Sequence, residues 1–264
     1  MSKNTMYQDL IVKILVVISF LGMIAANTVA VVLPRYNIST KEVSDLYPNL
    51  FTPAPYTFSI WSVIYLALAC FVVYQVNPPR KDKGIFTPSD LLRIRFAFIF
   101  SSVINILWIF SWHYLKLTLS VILMLFLLAS LIYVNRLTRR IHLNTREKLL
   151  VRVPFSLYFG WITVATIANI TAFLVKNNWN GFEIAPEAWT IILLIIGVII
   201  ASAVVIQNKD YIYPFVILWA YGGILSNHIS ETGFNCHHYL IMLVTVSCMV
   251  VMLVVTVLRS LYRD

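Results

Sequence analysis

The sequence predicts an all-α, polytopic integral membrane protein with about eight spanning helices. Three observations predict it. Of 264 residues, 60% are apolar and only 12% charged, and the mean hydropathy is +0.83. A soluble domain carries about 25% charged residues, so lipid must solvate much of this surface. Apolar stretches close to the roughly 20 residues that cross a bilayer recur eight times. The basic residues, finally, are divided very unevenly among the connections.

The spans are expected at 10–33, 56–76, 92–113, 117–135, 152–175, 187–206, 211–229 and 239–258. The first is far longer than the apolar core of a signal peptide and reads as a retained helix; its interior charge, Lys13, lies near one end and can snorkel. The second follows a proline-rich lead-in, Pro53-Ala-Pro55, and the third ends in Trp108 and Trp112. The fourth closes on Leu131, Tyr133 and Arg136, an aromatic–basic anchor at an interface that also fits a weak sterol-type pattern. In the fifth, Gly160, Ala165, Ala168 and Ala172 permit close packing, by a neighbouring helix or by a second copy in a homodimer. The sixth is bounded by Glu187, the seventh carries Pro214 and a Gly222-Gly223 pair that would permit a break, and the eighth holds Cys248.

Eight crossings put both termini and the even-numbered connections on one side. Only Arg35, Lys41, Lys116 and Lys176 fall on the other side, and the remaining 16 of the 20 lysines and arginines fall with the termini. Basic residues favour the cytoplasmic face, so both termini are expected there, in a cell (inner) membrane. The net charge of +9 is therefore an orientation signal, and no basic tract interleaved with aromatics points to nucleic acid. The longest external connection runs from Pro34 to Pro55. In it Ser39 and Glu42 stand at capping-box spacing, with Val43, Leu46 and Tyr47 on one face before Pro48. A short helix over the external mouth and an ordered linker are both open.

Orientation assigns depth to the polar and aromatic residues. Phe58, Trp61 and Tyr65 share a face of the second span in its outer half, and Asn105, Trp108 and Trp112 do the same in the third. Asn27, Asn169, Asn227 and His228 lie toward outer helix ends, whereas the inner half offers Gln75, Asn135 and Gln207. Amides in hydrocarbon must be paired, so these are expected to face the bundle interior, lining an outward cavity for a flat, largely apolar ligand. Two plainer readings stand beside this one. Trp112, Tyr114, Trp179 and Trp189 also fit an interfacial belt, and membrane asparagines also serve as interhelical glue.

At these helices the chain resembles the translocator protein / tryptophan-rich sensory protein family, TspO/MBR. The second span reads Pro53-Ala-Pro55-Tyr56-Thr-Phe58-Ser-Ile-Trp61-Ser-Val-Ile-Tyr65, against a family pattern of a Pro-rich lead-in, W-x-F and W-x-x-x-Y. The third matches N-x-x-W with Asn105, Trp108 and Trp112, and the fifth matches a Trp–Asn pair with Trp161 and Asn169 behind Pro154. The resemblance covers residues 10–175 and implies a five-helix unit over 1–175, followed by three additional helices over 176–264. Tyr56 stands where the family has Trp, the second-span motif is one residue short, and Pro154 lies farther from Trp161 than usual. The last three helices have no counterpart in the five-helix members, which places the chain in a longer branch. The family binds porphyrins and, in some members, sterols or drugs. The resemblance thus implies a ligand site at Tyr56, Phe58, Trp61, Tyr65, Asn105, Trp108, Trp112, Trp161 and Asn169, with a tetrapyrrole as the possible ligand and no resident cofactor required.

Other chemistries find little support. No carboxylate lies inside an expected span, Asp9, Glu187 and Glu231 being at ends, which counts against a proton- or cation-coupled transporter. No hydropathy repeat relates two halves. No mid-helix lysine is placed for a Schiff base, and H-E-x-x-H and Gly-rich phosphate loops are absent. His113, His228, His237 and His238 gather near the external side; interface histidines explain them, and a bis-histidine haem or metal site is the alternative. The cysteines Cys70, Cys236 and Cys248 form no C-x-x-C pair. Three functions remain: a non-enzymatic binding or sensory protein for a planar hydrophobic ligand, a transporter or flippase of a lipophilic molecule, and a membrane enzyme. The last is the weakest, because an acid–base pair is missing.

Overall fold

The computed structural model describes residues 3–32, 39–76, 78, 87–141 and 143–262. The described chain is helical, with no strand. Eight long helices follow the predicted order: α1 Lys3–Val32, α2 Ile60–Val76, α3 Pro88–His113, α4 Leu117–Arg140, α5 Val153–Lys176, α6 Pro186–Asn208, α7 Tyr213–Ile229 and α8 Tyr239–Leu261. Seven of them, taken with the short helical turns that lead into α2 and α5, are long and apolar enough to cross a membrane. The exception is α7, with 17 residues. At 1.5 Å per residue it is about 26 Å long, slightly less than a hydrocarbon core of about 30 Å. Arg35, Arg80, Lys81, Lys83 and Arg263, which contribute to the charge asymmetry, lie outside the described residues.

Local chemistry starts the helices where the apolar periods alone left margins. Helix α3 begins four residues before its expected start because Thr87 and Asp90 form a capping box ahead of Pro88. Asn144 and Glu147 form a second one, with both hydrogen bonds at 2.8 Å. Between that box and α5 the backbone takes a π turn over Lys148–Arg152. Pro154, which has no N–H and crowds the carbonyl four residues back, at Leu150 within this turn, follows it after Val153, and the wider turn accommodates the proline.

The chain divides into two compact units, Met1–Ser39 with Trp61–Phe159, and Thr40–Ile60 with Gly160–Asp264. In the first unit α3 packs on both α1 and α4. Phe71, Phe98 and Phe155 make its aromatic centre, with ring centroids 5.0–6.1 Å apart. An ion pair that the sequence reading did not anticipate lies near the start of α1. Arg95, almost fully buried, donates to Asp9 at 2.7 Å and to the Gln75 carbonyl at 2.5 Å, and Lys13 meets the same aspartate at 2.8 Å. Asp9 is the third residue of the candidate spanning segment Tyr7–Ala30, at its end as expected.

In the second unit α8 packs on α6 and α7, and α6 also meets α7. Helix α7 is the hub, because small residues let it come close to its neighbours. A Cβ on Gly160 would stand 2.8 Å from Val216 Cβ, so the small residue at the head of α5 serves a partner helix of the same chain. A Cβ on Gly197 of α6 would stand 2.3 Å from the Tyr221 hydroxyl, which donates to the Leu194 carbonyl at 2.6 Å. Tyr213 adds a hydrogen bond to Thr163 at 2.8 Å. The break that these residues would permit is not taken: α7 runs unbroken through Gly222 and Gly223, and Pro214 sits in its first turn, where no N–H is needed.

Candidate functional site

The nine residues proposed from the motifs fall into both units. In the first, aromatic rings form a ladder. Trp61 stacks on Tyr65 at 5.4 Å and on Trp108 at 6.0 Å, and Trp108 stacks on Trp112 at 6.3 Å. Trp61 also meets Tyr158 edge-on at 6.0 Å. Trp108 and Trp112 are 4% and 5% exposed, so Trp112 belongs to the interior rather than to an interfacial belt. An amide relay runs beside the ladder: Asn27 donates to the Asn105 side-chain carbonyl and Asn105 donates to the Tyr158 hydroxyl, both at 2.9 Å. Asn27 on α1, Asn105 on α3 and Tyr158 at the head of α5 are thereby joined, which is the glue role open to membrane asparagines.

In the second unit Phe58 meets Trp161 edge-on at 5.9 Å, and the exposed Tyr56 meets Trp219 edge-on at 5.5 Å. Trp161 and Asn169 are buried. The lead-in to α2 is clasped by one stripe of α7. The Ala54 N–H donates to the Gly223 carbonyl, the Trp219 indole to the Thr57 carbonyl, and the Asn227 amide to the Thr52 carbonyl, each at 2.9 Å. One residue beyond Asn227, His228 Nε2 lies 2.9 Å from the Leu50 carbonyl. Trp219, Gly223 and Asn227 stand at i, i+4 and i+8, so one helix face reads the backbone of residues 50–57.

This clasp sets one wall of a cavity of about 510 Å³ within the second unit. Pro48, Asn49 and Leu50 supply that wall, and just before them in the chain the short helix Thr40–Asp45 forms where helix and linker were both open. Helix α5 contributes Ile167, Ile170, Thr171, Leu174 and Val175. The connection to α6 contributes Trp179, Asn180, Gly181 and Ile184, and α6 itself Pro186, Trp189, Thr190 and Leu193. Phe234, from the connection after α7, closes the set and stacks on His228 at 4.6 Å. His228 thus backs two walls at once.

Most polar groups of the walls are spent on protein backbone. The Thr171 and Thr190 hydroxyls donate to carbonyls of their own helices at 2.9 Å. Asn49 spends its amide on the Tyr47 carbonyl and its oxygen on the Phe51 N–H. Trp189 donates to the Gly181 carbonyl at 2.7 Å, and its ring lies 5.1 Å from that of Trp179. Gly181 has a φ of +62°, and a Cβ there would meet the Trp189 indole nitrogen at 2.9 Å, so this turn requires glycine.

None of the nine motif residues lines this cavity. Its residues were within reach of the sequence only in part. Trp179 and Trp189 were visible, but as belt residues, and Phe234 carried no signal at all. The connections at 48–54, 177–185 and 230–238, all odd-numbered, meet at this end of the unit, and that convergence is tertiary. Among the described residues no cluster of three or more metal-ligating side chains occurs. His238 instead lies 3.1 Å from Glu187, and His237 Nδ1 2.6 Å from the Phe234 carbonyl. The three cysteines are free.

Fold and composition define an all-α polytopic membrane protein with an aromatic-walled cavity among its second set of helices. The TSPO-like protein family model matches residues 13–258, nearly the whole chain, and the protein belongs to that family. The match extends through α6, α7 and α8, so these helices are part of what the family model describes. No curated protein and no solved structure matches the chain.

Proposed function

We propose that this protein is a non-enzymatic membrane binding or sensory protein for a planar, largely apolar molecule, with porphyrins and other tetrapyrroles the class suggested by its family resemblance. One observation carries the reading: the cavity of about 510 Å³ in the second unit, walled by two tryptophans, a phenylalanine and aliphatic side chains. Small-molecule pockets are about 300–1,000 Å³, mostly apolar, with few polar groups. Stacking on Trp179, Trp189 and Phe234 supplies most of the affinity. The ladder of Trp61, Tyr65, Trp108 and Trp112, which lies in the first unit, is the second candidate contact set.

The uneven distribution of lysine and arginine supports cytoplasmic termini in a cell membrane, with the cavity-forming connections on the opposite side. Labelling of single cysteines placed at residues 45 and 180 by a membrane-impermeant maleimide on intact cells tests the orientation. Ligand binding is tested by titrating the purified protein in lipid nanodiscs with protoporphyrin, its dimethyl ester, a sterol and a linear polyene, following tryptophan quenching or competition. Saturable binding of at least one, above that of empty nanodiscs, is expected. Absence of binding by all four, with a five-helix family member positive in parallel, refutes the reading.

A further inference from the structure

The chemistry of the cavity wall narrows the ligand beyond its shape. None of the lining residues is an aspartate, glutamate, lysine, arginine or histidine. The hydroxyls of Thr171 and Thr190, the amide of Asn49 and the indole N–H of Trp189 all point at protein backbone. The other polar groups of the lining, the Asn180 side chain, whose oxygen accepts from the Phe182 N–H, and the Trp179 indole N–H, are neutral. A carboxylate or phosphate taken into this space loses its water and meets no cation in exchange, a penalty that dispersion against aromatic walls does not offset. The ionisable residues adjoining the lining positions in sequence are Lys176, Glu183 and Glu187. They form no cationic cradle, since two are acidic and Glu187 faces His238. The buried His228, behind Phe234 and Leu50, is engaged with the Leu50 carbonyl rather than turned toward a ligand acid.

Resting on the binding reading above, we infer that this cavity selects uncharged ligands: flat, apolar molecules with no carboxylate, phosphate or ammonium group within the walled volume. A dicarboxylic porphyrin is then a poorer ligand than the same ring with its acids esterified.

Protoporphyrin and its dimethyl ester share one ring and differ in charge, so they form the test pair. Full-length protein in nanodiscs of neutral lipid is titrated with each, and partition into empty nanodiscs is subtracted. The ester is expected to bind at least tenfold more tightly than the free acid. Filling the cavity with Leu193→Trp, or independently Thr171→Phe, is expected to weaken ester binding at least tenfold, while Lys176→Met leaves it unchanged. Equal or tighter binding of the free acid overturns the inference and leaves the binding reading standing. So does weakening of ester binding by Lys176→Met. Ester binding that neither filling variant disturbs overturns the assignment to this cavity. If neither porphyrin nor the sterol or polyene binds, the binding reading itself falls, and the inference with it. Should one filling variant misfold, the other and the wild-type pair still decide.

Discussion

Thr57 packs its side chain directly onto the backbone of Gly223: a Cβ built on that glycine would stand 2.0 Å from Thr57 Oγ1 and 2.8 Å from Cγ2. The contact explains the clasp between α7 and the lead-in to α2, because only a residue without a side chain brings the helix near enough for the Gly223 carbonyl to accept from Ala54. Gly223→Ala is expected to destabilise the protein by about 1–3 kcal/mol through overpacking. Thr57→Ala in the same chain should recover part of that loss. Thermal unfolding in detergent of the two single variants and the double variant checks the coupling, and a double variant as weak as the sum of the singles contradicts the contact.

The buried Arg95 has Asp9 as its counter-ion. Asp9→Ala leaves the guanidinium with the Gln75 carbonyl and no counter-ion, and because the Asp9 carboxylate is itself partly exposed a loss of about 1.5–3 kcal/mol is expected. Replacing both partners, Asp9→Ala with Arg95→Met, should be milder than Asp9→Ala alone. Denaturant titration of the variants compares them, and equal losses would mean that the pair is not coupled.

Asn105 joins Asn27 and Tyr158, and Tyr158 is fully buried. Interhelical side-chain hydrogen bonds in membranes average about 0.6 kcal/mol and reach about 1.7. Asn105→Ala breaks two of them, so a loss of about 1–3 kcal/mol is expected. A double-mutant cycle with Tyr158→Phe should return a coupling of about 0.6 kcal/mol or more. A coupling of zero would place the Tyr158 hydroxyl with another partner.

His228 supports the cavity from behind. His228→Phe keeps an aromatic ring on Phe234 but drops the hydrogen bond to the Leu50 carbonyl, worth about 1 kcal/mol. Ligand affinity in the cavity is expected to fall about fivefold, with the oligomeric state and helix content unchanged by size-exclusion chromatography and circular dichroism. Unaltered affinity would separate His228 from the cavity wall.

Helix positions were legible to within a few residues because lipid imposes one long apolar run per crossing, and such runs are local. Some of the differences come from chemistry that hydropathy does not register, such as the Thr87–Asp90 capping box that starts α3 four residues early; α1 starts seven residues early and α4 ends five late, where polar residues continue the helix past the apolar run. The motif residues were legible as a set of aromatics and amides, but not as neighbours. Trp61, Tyr65, Trp108 and Trp112 stack within one unit, whereas Tyr56, Phe58, Trp161 and Asn169 belong to the other. Gly223 shows the same limit: a glycine pair in a helix suggests a break as readily as a close approach, and only the position of Thr57 distinguishes them.

By itself the sequence determined that the chain is a membrane-embedded set of about eight helices, since composition and run length decide what solvates a segment. It also determined the family resemblance, later matched over residues 13–258. Which polar side chains are spent on one another, and where a hollow is left, only the tertiary structure decided. A cavity is the space that side chains from distant segments fail to fill, here Pro48–Leu50, α5, α6 and Phe234, and no stretch of sequence contains it.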